Sequence, residues 1–507
     1  MRTRLTSALP LLAALACPAQ AQDPLSAIDW LGRADPVLTT PEEPPVSHSV
    51  QTPEVAVSAL EDSSVASVGL LPSNITGLPP TLWRSSRAAS LAAQVAALDL
   101  DGHPDLMRLL ITLLLAEAEP PEDAGDAGLY VAARVRKLIE LGALDPARAL
   151  IDRAGPERPT LFPLWFDLSL LAGDAEAACA SLDEAPHLMP DPKARIYCAA
   201  QSGDWMTAVT ILQGAVAIGD INPRDEDLLS RFLDAEIADT GFALAPSNMT
   251  TPLEFRLYEA IGDPLPTASL PRAFAAIDLG GDAGWKAQIE SAERLARVGV
   301  LQPNMLVGIY TARRAAASGG VWDRVKAVQA LDTALTDGTP DQVAEALLKA
   351  WPMMAAETLL HPFGEIFGDR LAKLPLSGPA ARLALKSVLL SSNYELAQTM
   401  PTTGLPRQSM LAALAQGRAE LPSNATPAEA AVLAGFSADT PPNTAKDALR
   451  QGLLGEVILR AMAQFGSGAQ GNWQSLTDAI ATFRYVGLEQ VARRASLHLL
   501  VIQEGRR

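Results

Sequence analysis

Few side chains in this chain are of a type and spacing that could do chemistry, and two of its three cysteines come first. Cys179 and Cys198 stand 19 residues apart in "DAEAACASLDEAPHLMPDPKARIYCAA". With Cys17 inside an N-terminal leader, they form an even pair in an oxidising compartment, which predicts a disulfide over two buried free thiols. The turn from Pro186 to Pro190 separates two helical stretches, with the cysteines about equally far from its middle. Antiparallel helices would bring them face to face. Ala175, Ala178, Ala194 and Ala199 would permit the close backbone approach that a bridge requires. Such a loop closure is worth about 3 kcal/mol. No C-x-x-C spacing accompanies it, so the expected role is a staple and not catalysis.

The remaining chemical signals each meet a plainer reading. Gly466, Gly468 and Gly471 in "GSGAQG" have dinucleotide-loop spacing, but they follow the helical run "EVILRAMAQF" where such a site needs a strand, so an interhelical loop is expected. Asp99, Asp101 and Asp105 in "DLDGHPDL" hint at a calcium loop. Pro104 stands where that loop needs glycine and the twelfth-position acid is missing, so helix capping ahead of "PDLMRLLITLLL" is expected. "EAEPPEDAGD" reads as a solvated acidic turn. His48, His103, His187, His361 and His498 are far apart and form no H-E-x-x-H or H-x-H; G-x-S-x-G is absent. Soluble lytic transglycosylases also wrap helical hairpins, but their Glu-Ser pair and "GLMQ"-like segment are missing here. The sequence therefore predicts no catalytic residues, no cofactor and no metal.

The elements that would hold these residues begin after a leader. Arg2 and Arg4, the apolar run from Ala8 to Ala16, and Ala19-Gln20-Ala21 have the form of a secretory signal over residues 1–21. Acylation at Cys17 is the alternative, although the leucine usual three places before a lipidated cysteine is missing. No later run is apolar enough to span a bilayer, so a soluble periplasmic chain is expected. Apolar residues make up 48% and aromatics 5%, which requires a core of Ala, Leu and Val and suits close-packed helices. The formal charge of −18 argues against nucleic acid and anionic membrane surfaces.

A repeat organises those helices. Gly142, Gly173 and Gly203 are spaced by 31 and 30 residues. Five places after each stands alanine (Ala147, Ala178, Ala208), nine places after each a large aliphatic residue (Ile151, Leu182, Leu212), and twelve places after each alanine again (Ala154, Ala185, Ala215). Pro159 and Pro190 follow the first two glycines by seventeen. Glycine would end the first helix of a hairpin, small residues let the second lie close, and proline would stop it. This pattern resembles the tetratricopeptide class of helical hairpins, without that family's Trp and Leu-Gly signature. Echoes recur at Ser392 and Ala397 and at Gly487 and Ala492. Helical periodicity continues between, as in Val321, Val325, Val328 and Leu335. The expected fold is all-α: a TPR-like α-solenoid with repeats over 87–240 and a degenerate solenoid over 241–507. Hairpins that touch only sequence neighbours would make it an open, curved rod.

Residues 22–86 form an expected proline-rich extended arm. Its apolar residues Trp30, Leu70, Leu71, Ile75, Leu78 and Trp83 are costly to leave in water. Two readings are open: they dock on the chain's own solenoid, or they bind a partner. "VGLLPSNITGLPPTLW", "FRLYEAIGDPLPTASLPRAF" and "SGGVWDRVKAVQALDTAL" resemble large secreted helical proteins of alphaproteobacteria, a group associated with the MotC/MotK-type periplasmic motility proteins of the flagellar motor. The resemblance implies a non-catalytic scaffold with periplasmic or inner-membrane protein partners. A ligand-binding module for cell-wall fragments is the alternative, and after it a peptidoglycan-acting enzyme without recognisable motifs. The scattering of Trp83, Trp165, Trp205, Trp285, Trp322, Trp351 and Trp473 favours structural use over a sugar site.

Overall fold

Alanine-rich hairpins with glycine turns build the body of the protein. The computed structural model describes residues 67–505 except 126–127, 235, 238–243, 281, 316 and 403–405. The leader, Cys17 and Trp30 lie outside the described residues. Those described fall in one compact unit and are all-helical, with a lone β-bridge between Leu71 and Ala116. No helix among them is long and apolar enough to cross a membrane.

Three hairpins carry the repeat: Leu129–Leu141 with Leu144–Ala154, Phe162–Ala172 with Glu176–Glu184, and Pro192–Gln201 with Trp205–Ile218. Gly142 ends the first helix at φ 81°, where its N–H donates to Ile139 O and that of Ala143 to Leu138 O. A side chain there would be strained, and its Cβ would stand 2.6 Å from Leu295 Cδ2. The repeat-equivalent Ala147, Ala178, Ala208 and Ile151 are fully buried, and Leu182 and Leu212 are buried beside them. Packing thus explains the spacing. The prolines do not stop the second helices as expected. The first ends at Ala154, where Gly155 takes φ 82°, and the second at Glu184, both well before Pro159 and Pro190.

Two other sequence expectations change. Gly466 and Gly468 lie inside the Leu454–Ala469 helix and not in a loop, and a Cβ on Gly468 would stand 2.5 Å from Leu476 Cβ. Gly468 is a close-packing position, whereas Gly466 has room for a Cβ 3.7 Å from Asp99 O. The echo at Ser392 and Ala397 opens a 3-10 helix, Tyr394–Thr399, whereas the echo at Gly487 and Ala492 leads into the long Glu489–Gly505 helix. The Val321–Asp337 helix buries Val321, Val325 and Val328 as its periodicity requires, with Leu335 partly buried against the same core.

The array does not run out as an open rod. Ala88–Ala97 packs against both Leu129–Leu141 and Leu454–Ala469, and Pro104–Leu115 packs against both Leu129–Leu141 and Glu489–Gly505. The first described helices therefore sit between the first repeat and the last helices of the chain. The stretches 87–240 and 241–507 share one hydrophobic core.

Residues 67–86 are seated on that body. Fully buried Arg134 donates from Nε to Leu114 O (2.6 Å), from Nη1 to Val68 O (2.6 Å) and from Nη2 to Ala116 O (3.2 Å). One guanidinium thus satisfies carbonyls at the end of the Pro104–Leu115 helix and in the incoming segment. Trp83, 2% exposed, lies edge-on to Tyr130 and against Gly455, where any Cβ would stand 2.1 Å from the ring.

Candidate functional site: an uncharged helix face and a buried ionic junction

The second and third hairpins are covalently joined. Cys179 on Glu176–Glu184 is bonded to Cys198 on Pro192–Gln201, with the Cα atoms 5.1 Å apart. The short 3-10 turn Pro186–Leu188 between the helices makes them antiparallel, and buried Ala178 and Ala194 allow their approach. The bridge links the last helix of one repeat to the first of the next.

The helix that follows this staple has an unusual surface. Trp205–Ile218, "WMTAVTILQGAVAI", has no charged residue. Asp204 caps it by accepting from Thr207 N (3.1 Å), and Gly219 ends it at φ 82°. Ala208, Leu212 and Ala215 face the core at helical spacing. The opposite arc, formed by Met206, Thr210, Gln213, Gly214 and Ala217, is exposed, and Met206 and Ile218 are 76% and 74% exposed. Half-exposed Trp205 lies beside Phe232, which stacks on Tyr197 at 5.9 Å between ring centroids.

Around this face the charge is one-sided. Residues 174–236 hold twelve carboxylates and four basic side chains. Three of the four cations are engaged within the fold: Lys193 with Asp225 (3.2 Å), Arg231 with Asp227 (2.8 Å), and Arg224 with Asp225 and Glu254. Asp204 and Asp220, at the two ends of the uncharged helix, are exposed. Asp167 lies in the neighbouring Phe162–Ala172 helix. Burial, with the Asp191 charge adding to it, pushes its carboxyl up to about 7.

A second cluster sits where the chain closes. Glu365 on Leu360–Leu371 accepts from Arg108 Nη2 (3.0 Å), Arg494 Nη2 (2.9 Å), Ser392 N (3.1 Å) and Ser392 Oγ (2.7 Å). Arg494 Nε also stands 2.9 Å from Asp105 Oδ1, as an ion pair. His361 Nε2 lies 3.8 Å from that oxygen and 3.7 Å from Glu365 Oε1, too far for hydrogen bonds, while its ring meets that of His498 edge-on at 5.7 Å. Asp105, His361 and His498 are all buried. Burial alone would raise Asp105, but His361, Arg494 and His498 outweigh it and hold the carboxyl well below the usual range. Burial likewise raises Glu365, and Ser392, His361 and Arg108 bring it below its ordinary value. The His498 imidazole is pushed down to about 3 by burial first and His361 second, against the pull of Asp105.

The junction binds three distant parts of the chain. Its carboxylates are occupied by guanidinium groups and a serine, which leaves them poor proton acceptors for catalysis. The sequence reading missed it, because its members are up to 393 positions apart (Asp105 to His498). The buried position of Asp105 in the first turn of an apolar helix was the one local signal.

The structure separates the other sequence candidates. Asp99, Asp101 and Asp105 do not converge: Asp99 accepts from Asp101 N (3.0 Å), Asp101 pairs with Arg272 (2.9 Å), and Asp105 turns to Arg494. No side chain caps the Pro104–Leu115 helix. In the acidic turn, Asp123 accepts from Ala88 N (2.7 Å) and Glu119 pairs with Arg84, so it is fastened to the body and not merely solvated. His103 packs edge-on to Phe465. Of the apolar arm residues, Trp83 and Leu78 are buried, Leu70 and Leu71 are partly buried against the core, and Ile75 is 69% exposed. The best-formed pockets among the described residues are small, each about 10 Å³. One is lined by Pro442, Val457 and Arg460, the other by Arg407, Glu429 and Glu504. Comparisons with protein-family models, with curated proteins and with solved structures find no match to this chain.

Proposed function

We propose that this protein is a non-catalytic periplasmic scaffold that binds other envelope proteins and is required for flagellar motor rotation. The observation that carries the scaffold reading is the uncharged, exposed face of Trp205–Ile218 on a disulfide-stapled helical body. An exposed apolar face rimmed by polar residues is what protein-binding sites present. The signal-like leader and the disulfide support the compartment. The sequence resemblance supports the link to motility.

Crosslinking in living cells followed by mass spectrometry tests the scaffold. Stable adducts with envelope proteins are expected, and a protein that forms none does not act as one. Gene deletion in a flagellated host tests the motor role. Filaments should assemble while the cells fail to swim, and normal swimming would reject it.

A further inference from the structure

The uncharged helix narrows the kind of partner, on the premise that the protein is a scaffold. Its exposed arc combines Met206, Gly214, Ala217 and Ile218 with Thr210 and Gln213. Gly214 is informative because nothing among the described residues requires it. A Cβ there would meet no atom within 4 Å, and the residue is not in the left-handed region. A mid-helix glycine destabilises a helix relative to alanine. Its use at an open position fits a surface that another backbone approaches closely.

The rim defines the partner's charge. Asp204 and Asp220 flank the helix, and by helical rise they are about 24 Å apart along its axis. Asp183, Glu184 and Asp234 add exposed carboxylates in the same stapled stretch, where most cations are already paired. Such a rim repels an anionic lipid surface and attracts a cationic protein segment.

We infer that the Trp205–Ile218 face docks an amphipathic helix of a partner protein, apolar along its centre and carrying Lys or Arg near both ends. The partner's apolar stripe covers Met206 and Ile218, its backbone approaches at Gly214, and its terminal cations meet Asp204 and Asp220. Helix-on-face recognition of this kind takes its affinity from the apolar stripe and its orientation from the charged ends.

A labelled peptide of about 20 residues tests this, built with an Ala/Leu stripe and lysines at both ends, beside a twin with glutamates instead. Fluorescence anisotropy with the full mature protein should show the lysine peptide binding at least about ten-fold tighter than its twin, and weakening as salt rises. Met206→Glu should weaken binding at least about ten-fold. Gly214→Ala should raise the unfolding midpoint by about 1 °C while weakening binding, a combination that mere damage to the fold would not give. Circular dichroism confirms that each variant is folded. Equal affinity for the two peptides, no binding, or binding unmoved by both substitutions would overturn the inference. So would self-association lost in Met206→Glu, which assigns the face to a second copy, or binding of anionic vesicles. These outcomes leave the scaffold reading to the crosslinking in cells, which fails separately.

Discussion

The stapled hairpins around Cys179–Cys198 and the junction around Glu365 solve the same problem by opposite means. Helices are joined covalently across 19 residues in the first, with the contacts local and the outer helix face exposed and uncharged between carboxylates at its ends. Non-covalent charges join parts of the chain that are hundreds of residues apart in the second, where the groups are largely buried. The difference teaches where each kind of bond is useful. A disulfide fixes neighbouring hairpins through one local bond and leaves their outer surface open. Buried ion pairs select one closing arrangement among many, because any other leaves charges without partners.

The comparison breaks most visibly at the junction. Arg494→Met takes from buried Asp105 its guanidinium partner, and from Glu365 one of two, and should cost about 3–5 kcal/mol. Hydrogen exchange should rise in both Pro104–Leu115 and Glu489–Gly505, the helices that it joins. Removing the staple with Cys179→Ser and Cys198→Ser should cost about 3 kcal/mol. Faster exchange there should stay within the neighbouring hairpins and leave the junction helices unchanged.

The two regions should also respond to pH with opposite signs. His498 is neutral in the fold, held down to about 3 against about 6.5 unfolded. Its contribution is present above pH about 6.5 and is lost as the pH falls toward 3. His498→Gln should flatten that loss in a chemical-denaturation series. Asp167 runs the other way, because its carboxyl is raised to about 7. Its contribution is complete below the unfolded value near 4 and is lost as the pH rises through 7. Asp167→Asn should therefore stabilise the protein at pH 8 and change little at pH 4, a difference read from paired melting curves.

The smallest effect belongs to the incoming segment. Ile75→Ser, at an exposed site, should leave stability within about 0.5 kcal/mol. Gly455→Ala, by contrast, must displace the Trp83 ring, and tryptophan fluorescence would report the loosened contact.

The hairpins were legible in the sequence because their determinants are local. A turn glycine, a buried alanine five places on and a cysteine pair about one turn leave spacing that any window of 30 residues contains. The closure was not legible. Arg108, Glu365 and Arg494 look like ordinary surface charges until packing brings them together, and His361 and His498 carry no motif. Trp83 is the intermediate case: its cost in water required a cover, but only the folded chain identifies Gly455 as the position that receives it. The Trp205–Ile218 surface escaped for another reason. An apolar run in a repeat reads as core, and only the folded chain shows that the arc from Met206 to Ala217 is exposed among the described residues.

The central claim is that this face receives a partner in the cell. A photo-crosslinking residue at exposed Gln213, with exposed Gln474 elsewhere on the body as the control, tests it most directly. Sequencing of the crosslinked peptides should find, from Gln213 alone, an apolar segment of an envelope protein flanked by Lys or Arg. Capture from neither position, equal capture from both, or an acidic segment at Gln213 would contradict it.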